Sequence, residues 1–252
     1  MRVSPLVLNN DFYHPVHLAR ELASIDRLSD GRLEVGIGAG HAFTEYAAIG
    51  QQFDPPGVRK ARLFEAVQII APLLRGEEVS FSGKHYQVRN VRVMSARQTR
   101  VPLLIAVNGR AALAQAVRFA DSIGLTMLGR TLEDGQRHEV RWQLDRLDRT
   151  IAFIGQQSAS AGKKLELNAL VQRVIVTGDR AEAARELVAH ISSLSVEDAL
   201  ETPFLAIGTH DQIAAHLLRC RERWGISYFS VRDLDAFAPV IERLRYAERG
   251  GP

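Results

Sequence analysis

The sequence predicts an α/β protein built on a parallel sheet, and three features of its 252 residues carry that prediction. Apolar β runs alternate with helix-spaced apolar patterns six times, which is the signature of a parallel sheet covered by helices. Glycines at 36, 38, 40 and 109 follow the ends of such runs, on the side where parallel α/β folds bind their ligands. The chain also enters a buried run, Met1 to Leu8, with no turn or cap before it. Six strands can make a complete open sheet, but the abrupt first strand favours a (β/α) barrel entered at its third strand.

After Met1 to Leu8 comes a helix from Pro15 to Leu28, with Leu18, Ala19, Leu22, Ala23 and Ile25 at helical spacing and Ser29-Asp30-Gly31 closing it. The second strand, Leu33 to Val35, runs into G-x-G-x-G over Gly36, Gly38 and Gly40, read as a side-chain-poor loop that a flat or phosphorylated ligand can approach. A connection through His41, Glu45, Tyr46 and Phe53 leads to Val58–Leu74, a helix with Leu63, Val67, Ile70 and Leu74 on one face. Val79 to Phe81 and His85 to Val88 flank Ser82-Gly83-Lys84 and read as a hairpin inserted in the 76–100 region. Val101 to Val107 is a buried strand ended by Asn108-Gly109, and Ala111 to Ala120 is the helix after it, so the pair sits at a helix N-terminus that favours an anion.

The short strand Ser122 to Leu125 precedes a loop, Thr126 to Gly135, and a helix over Glu139 to Ala159. Leu165 to Val176 is the fifth alternating strand, Asp179 caps a helix to His190, and Ser195 to Leu200 makes a further helical turn. Thr209 to Trp224 is a helix, Ile226 to Val231 the sixth strand, and Ala236 to Tyr246 the closing helix. One domain over residues 1–252 is expected.

Composition excludes several classes. A hydrophobic share of 46% with 24% charged residues is that of a folded globular chain. The 32 basic residues are spread without a run and leave a net charge of +3, which gives no electrostatic case for nucleic acid. Cys220, the single cysteine, permits neither an internal disulfide nor a cysteine metal site and fits a reducing, cytoplasmic compartment. No apolar run is long enough to span a membrane, and no metal site is expected, because His14 and His17 flank Pro15 as capping or surface residues without a third ligand.

PLVLNNDFYHP at 5–15, LARELASIDRLSDGRLEVGIGAG at 18–40, FDPPGVRKARLFEAVQII at 53–70, FSGKHY at 81–86, PLLIAVNGRAALAQAVRFADSIGL at 102–125 and GTHDQIAAHL at 208–217 together resemble the luciferase-like flavin and deazaflavin oxidoreductases, in their coenzyme F420-dependent branch. The resemblance implies an eight-stranded (β/α) TIM barrel with Met1 to Leu8 on the third strand. The first two βα units, which in similar F420 enzymes carry residues aiding proton transfer, are then not contained in this sequence.

It also implies a non-prolyl cis peptide around Leu6, Val7 and Leu8 backing the deazaflavin ring, with Asn9 beside the cofactor mouth. Gly38, Ala39, Gly40, His41 and Thr44 would lie along the ring and ribityl chain, and Val107, Asn108 and Gly109 would take the phosphate. Close relatives often have Glu in place of His41 and Gly-Gly in place of Asn108-Gly109. The implied activity is hydride transfer between F420 and a small organic substrate, in a homodimer. His41 is the candidate proton donor or acceptor, since an unperturbed imidazole titrates near pH 6.5. The alternatives are an FMN-dependent monooxygenase of the same fold, or a non-catalytic truncated barrel whose open strand edges serve binding or dimerisation. Arg232 and Asp233 read as a mutual ion pair, and Trp142 and Trp224 as helical residues of the core or an interface.

Overall fold

The computed structural model describes residues 1–132, 138–191 and 193–248. The main sheet has six strands, the number given by the alternation. Contacts gather the chain into two units, one made chiefly of Met1–Ile123 with Ser160–Leu165, the other of Gly124–Arg130, His138–Ala159 and the chain from Glu166 onward.

In the first unit the order is β1 (Leu8–Asn9), a 3-10 turn Asn10–Phe12, α1 (Pro15–Leu28), β2 (Val35–Gly38), α2 (Phe43–Ala48), α3 (Pro56–Leu74), β3 (Val79–Ser82), β4 (Gln87–Val91), β5 (Leu103–Ala106) and α4 (Arg110–Phe119), up to β6 (Ser122–Leu125), within which the unit boundary falls. β1 and β5 flank β2, both parallel to it, and Gly38 lies opposite Asn9 on one side and Ala106 on the other. Helix α1 starts where Pro15 occupies a first-turn position that needs no donor, and the His14 Nδ1 accepts from the Val16 N–H at 3.4 Å, so capping is the role His14 fills. It buries Leu18, Ala19, Leu22 and Ala23 and packs on α3.

Three expectations change here. The first strand is shorter than Met1 to Leu8: only an isolated bridge, Val3 to Leu33, precedes Leu8–Asn9. Strand β2 begins at Val35 and contains Gly36 and Gly38, so only Ala39 and Gly40 of the glycine series lie beyond it. The reason is close approach. A Cβ on Gly36 would collide with the Pro5 carbonyl oxygen and one on Gly38 would come to 3.0 Å from Val7 Cγ2, so both glycines are strand residues that admit the Pro5–Val7 segment. The connection after Gly40 contains a helix, α2, on which Tyr46 is fully buried. The antiparallel β3–β4 hairpin is present, fastened to α3 by Glu65, whose carboxylate accepts from the N–H groups of Lys84, His85 and Tyr86 at 2.8–3.1 Å.

The second unit contains β7 (Leu128–Thr131), β8 (His138–Val140), α5 (Leu144–Ser160), β9 (Glu166–Val171), β10 (Arg173–Val176), α6 (Arg180–Val188), α7 (Val196–Glu201), β11 (Leu205–Gly208), α8 (His210–Trp224), β12 (Ile226–Val231) and α9 (Leu234–Glu248). The run Leu165–Val176 is two strands, not one. Glu166–Val171 pairs in parallel with β12, while Arg173–Val176 pairs with β11, and the change of partner falls at Gln172, whose N–H donates to the Phe204 carbonyl at 2.8 Å. The apolar pattern carries no mark of the switch, although the halves differ in burial: β9 is largely buried, whereas β10 is half-buried with Arg173 and Val176 exposed.

Helix α5 starts at Leu144 instead of Glu139, since His138–Val140 pairs with Leu128–Thr131 in what was expected to be loop and helix; residues 133–135 of that loop lie outside the described residues. Trp142 is therefore not helical, but it is buried, stacked 5.5 Å from Phe204 with its Nε1 donating to the Thr126 carbonyl. Trp224 ends α8 and donates to Asp148 at 2.6 Å. Arg232 and Asp233 have separate partners: Arg232 donates to Gln172, and Asp233 accepts from the Ala236 N–H at the start of α9. Val171, Ala206, Ile213, Leu217, Phe237 and Val240 form the core of this unit.

Candidate functional site

The site is built on the C-terminal ends of β1, β2 and β5 in the first unit. Because Gly38 is in register with Ala106, the segments that follow, Ala39–Gly40 and Val107–Asn108–Gly109, leave the sheet side by side. Leu6 and Val7, joined by a cis peptide bond, precede β1 and are 39% and 38% exposed, so an apolar surface stands open beside the buried glycines of β2.

Gly40 has φ +72°, a conformation an L side chain rarely adopts, and a Cβ there would run into the Tyr46 hydroxyl and into both side-chain polar atoms of Asn9. Asn9 thus lies under the loop. Its Oδ1 accepts from the Asp11 N–H at 3.2 Å and from the Tyr46 hydroxyl at 3.1 Å, while its buried Nδ2 has no partner among the described residues. The Tyr46 hydroxyl also lies 3.1 Å from Asp11 Oδ2, and burial, together with the Asp11 charge, pushes its pKa up to about 12. Tyr46 therefore stays a neutral donor across the physiological range. Asp11, with a fully buried side chain, is held by Arg62 Nε at 3.1 Å and Nη2 at 2.8 Å.

A second anchor comes from α3. Arg59, 5% exposed, donates from Nη1 to the carbonyls of Ala39, at 3.1 Å, and Gly40, and from Nε to the Asp54 carbonyl at 2.9 Å, with its guanidinium 4.1 Å from the centre of the Phe53 ring. Lys60 donates to the Asn108 carbonyl at 2.7 Å. Burial and the adjacent Arg59 charge both lower the Lys60 pKa. Gly109, with φ +93°, caps α4 without a side-chain hydrogen bond, and the one group that a Cβ on it would meet within 4 Å is the Lys60 ammonium, at 3.9 Å. An ammonium beside a helix start is a combination that suits an anion.

Of the residues expected at the site, Leu6, Val7, Asn9, Gly38, Ala39 and Gly40 are brought together by contact or pairing, and Val107, Asn108 and Gly109 continue the neighbouring strand. Leu8 pairs with Ile37. His41 is an exposed loop residue and Thr44 a half-buried one in the first turn of α2. The anchors Asp11, Tyr46, Arg59, Lys60 and Arg62 were missed. One signal for Arg59 was there to read: it lies four residues before Leu63 on the stripe that continues through Val67 and Ile70, a charge on a face that is otherwise buried. Among the described residues no group of three or more His, Cys, Asp or Glu side chains could hold a metal ion, and no helix is long and apolar enough to cross a membrane.

The profile of the luciferase-like monooxygenase family matches residues 1–195. The F420-dependent glucose-6-phosphate dehydrogenase of Amycolatopsis mediterranei is 30% identical over 122 residues, 48% of this chain and 37% of that protein. The F420-dependent hydroxymycolic acid dehydrogenase of Mycobacterium tuberculosis is 29% identical over 173 residues, 69% of this chain and 44% of that protein. The chain thus spans less than half the length of these two relatives. Among solved structures, monooxygenase RslO1 from Streptomyces bottropensis superposes with a TM-score of 0.70 at 22% identity, covering 98% of this chain and 77% of that one, which shows the fold to be of the luciferase-like TIM-barrel kind. With a family profile that covers residues 1–195 and relatives among the F420-dependent enzymes, the chain belongs to the luciferase-like monooxygenase family.

Proposed function

We propose that the chain forms the cofactor-binding part of an oxidoreductase that uses coenzyme F420 to exchange hydride with a small organic substrate. The observation that carries this reading is the pair of loops leaving β2 and β5 side by side, one floored by Asn9 and Tyr46, the other next to the Lys60 ammonium. These residues fit an elongated, flat, anionic ligand. Glycine at 40 keeps the surface over Asn9 free of a side chain, the Asn9 Nδ2 is a buried donor without an acceptor among the described residues, and the space over Gly109 faces a cation.

When bound, the deazaflavin supplies the carbon that takes or gives hydride. Leu6 and Val7 would hold the ring on an apolar surface, Gly38 to Gly40 with Thr44 would hold the ring and ribityl chain, and Val107 to Gly109 with Lys60 would hold the phosphate. His41, exposed at the mouth of the loop, exchanges the substrate's proton with solvent. The same reading covers a homodimer in the cytoplasm, acting on a small molecule and not on nucleic acid or a membrane; the buried thiol of Cys220 and the modest net charge agree with it.

Separate titrations of the purified chain with F420 and FMN, followed by fluorescence quenching and thermal shift, test the reading. Micromolar binding of F420 is expected, and His41→Asn should leave that affinity within about threefold while lowering turnover on any accepted substrate by about a hundredfold. Binding of FMN alone would favour the monooxygenase chemistry of the family; binding of neither would remove the proposal.

A further inference from the structure

Consecutive residues of α3 reach two different loops. Arg59 donates to Ala39 and Gly40 in the loop after β2, and Lys60 donates to Asn108 in the loop after β5. Since β2 and β5 are paired neighbours, the two side chains fix adjacent loops to one rigid helix. Neither cation is there to neutralise a carboxylate of the protein. The carboxylates of Asp11 and Asp54 are each bound by Arg62, at 2.8 Å, and among the described residues none lies within ion-pair distance of Arg59 or Lys60. A guanidinium buried against carbonyls and a ring costs desolvation that an apolar side chain of similar size would avoid. What it contributes is geometry: two successive carbonyls of one loop are held by one planar group.

We propose that Arg59 and Lys60 act as a positioning pair that sets the separation of the 38–40 and 108–109 loops, and so selects ligands long enough to engage both. This rests on the reading above, in which the two loops hold opposite ends of the cofactor. A ligand touching one loop can follow it when it shifts. A ligand spanning both cannot, and loses the benefit of a preformed spacing.

The discriminating variant is Arg59→Met, because of the two loops Arg59 bonds only the one at 39–40. In the ligand-free protein, amide hydrogen exchange should quicken at residues 39–42 and also at 108–110, since release of one loop slackens the other through α3. Quickening confined to 39–42, or none at all, overturns the pairing without reference to any ligand. The second arm uses F420 and the deazaflavin riboside lacking its phosphate and tail, with FMN and riboflavin as flavin counterparts, at roughly 15 °C below the variant's melting midpoint.

Arg59→Met should weaken the phosphate-bearing ligand by about tenfold or more and the phosphate-free one by less than about threefold, with part of the loss recovered in Arg59→Lys. Lys60→Met should weaken the phosphate-bearing ligand too, and the double variant by clearly less than the product of the single factors, because both release the same constraint. Equal losses for both ligands, or multiplicative losses in the double variant, would overturn the proposal. If the parent binds none of the four ligands while exchange quickens in both loops, the cofactor reading fails and the pairing stands.

Discussion

At Gly40 a single added carbon meets three atoms at once, the Tyr46 hydroxyl and both polar atoms of the Asn9 amide, on a backbone at φ +72°. Gly40→Ala should therefore destabilise the chain by about 1–3 kcal/mol, from the left-handed backbone and the forced displacement of Tyr46. Gly57→Ala, where nothing lies within 4 Å and the backbone is unstrained, is the matched control and should cost less than about 0.5 kcal/mol. Denaturant midpoints of the two variants decide the matter; equal midpoints would mean that the loop can lift away from Asn9 without cost. At this scale the sequence showed the glycines and not what makes them necessary. Gly36 and Gly38 read as loop residues, because nothing local says that the Pro5–Val7 segment, about thirty residues earlier, will press on them. Arg59 and Lys60 were legible only as members of an amphipathic helix, and their targets, backbone carbonyls on two other segments, carry no sequence mark at all.

Elements are tied together by carboxylates that meet backbone donors. Asp26, fully buried near the end of α1, accepts from the N–H groups of Leu33, Arg97 and Gln98 and from the Gln98 side chain, at 2.7–3.3 Å. Burial alone would raise its pKa, but hydrogen bonds from Gln98, Leu33 and Arg97 outweigh that and hold the carboxyl below its ordinary value. A carboxyl depressed in the folded state stabilises fully above the unfolded pKa, near 3.9, and that contribution drains away as pH falls through the lower folded value. Asp26→Asn turns an acceptor toward donors that need two, so a loss of about 2–4 kcal/mol at pH 7 is expected. The gap between variant and parent should shrink as pH drops below about 4. A pH-independent gap, measured by urea unfolding from pH 3 to 7, would show that Asp26 acts by packing and not by its charge. Helix α1 itself, from Pro15 to Leu28, was legible to the residue because its cap, its apolar stripe and its turn are all local. The cross-ties from Asp26 to Arg97 and Gln98 and from Glu65 to the hairpin were not, since each joins residues 19 to 72 positions apart.

For the whole molecule, alternation of apolar runs was enough to give the six strands of the main sheet and the α/β class, because β2, β5 and β6 are buried along nearly their whole length and read as continuous apolar runs. Partner choice was not written there: the run Leu165–Val176 serves two sheets, and only the Gln172 N–H marks the change. The reporters available in the second unit allow its opening to be followed directly. Both tryptophans lie in it, Trp142 stacked on Phe204 and Trp224 bonded to Asp148, and so does Cys220, 1% exposed on α8 with a thiol that burial pushes up to about 12. A thiol that neither meets solvent nor ionises cannot attack a disulfide reagent, so labelling at pH 8 must wait for an opening that exposes α8. Native labelling should be slower than that of the unfolded chain by about a thousandfold or more, and its dependence on urea should follow the tryptophan fluorescence transition, because Trp224 lies one helical turn from Cys220 on the same helix. Labelling that runs well ahead of the fluorescence change would mean that α8 detaches locally, and the core formed by Val171, Ala206, Ile213, Leu217, Phe237 and Val240 would then not be the unit that opens as one.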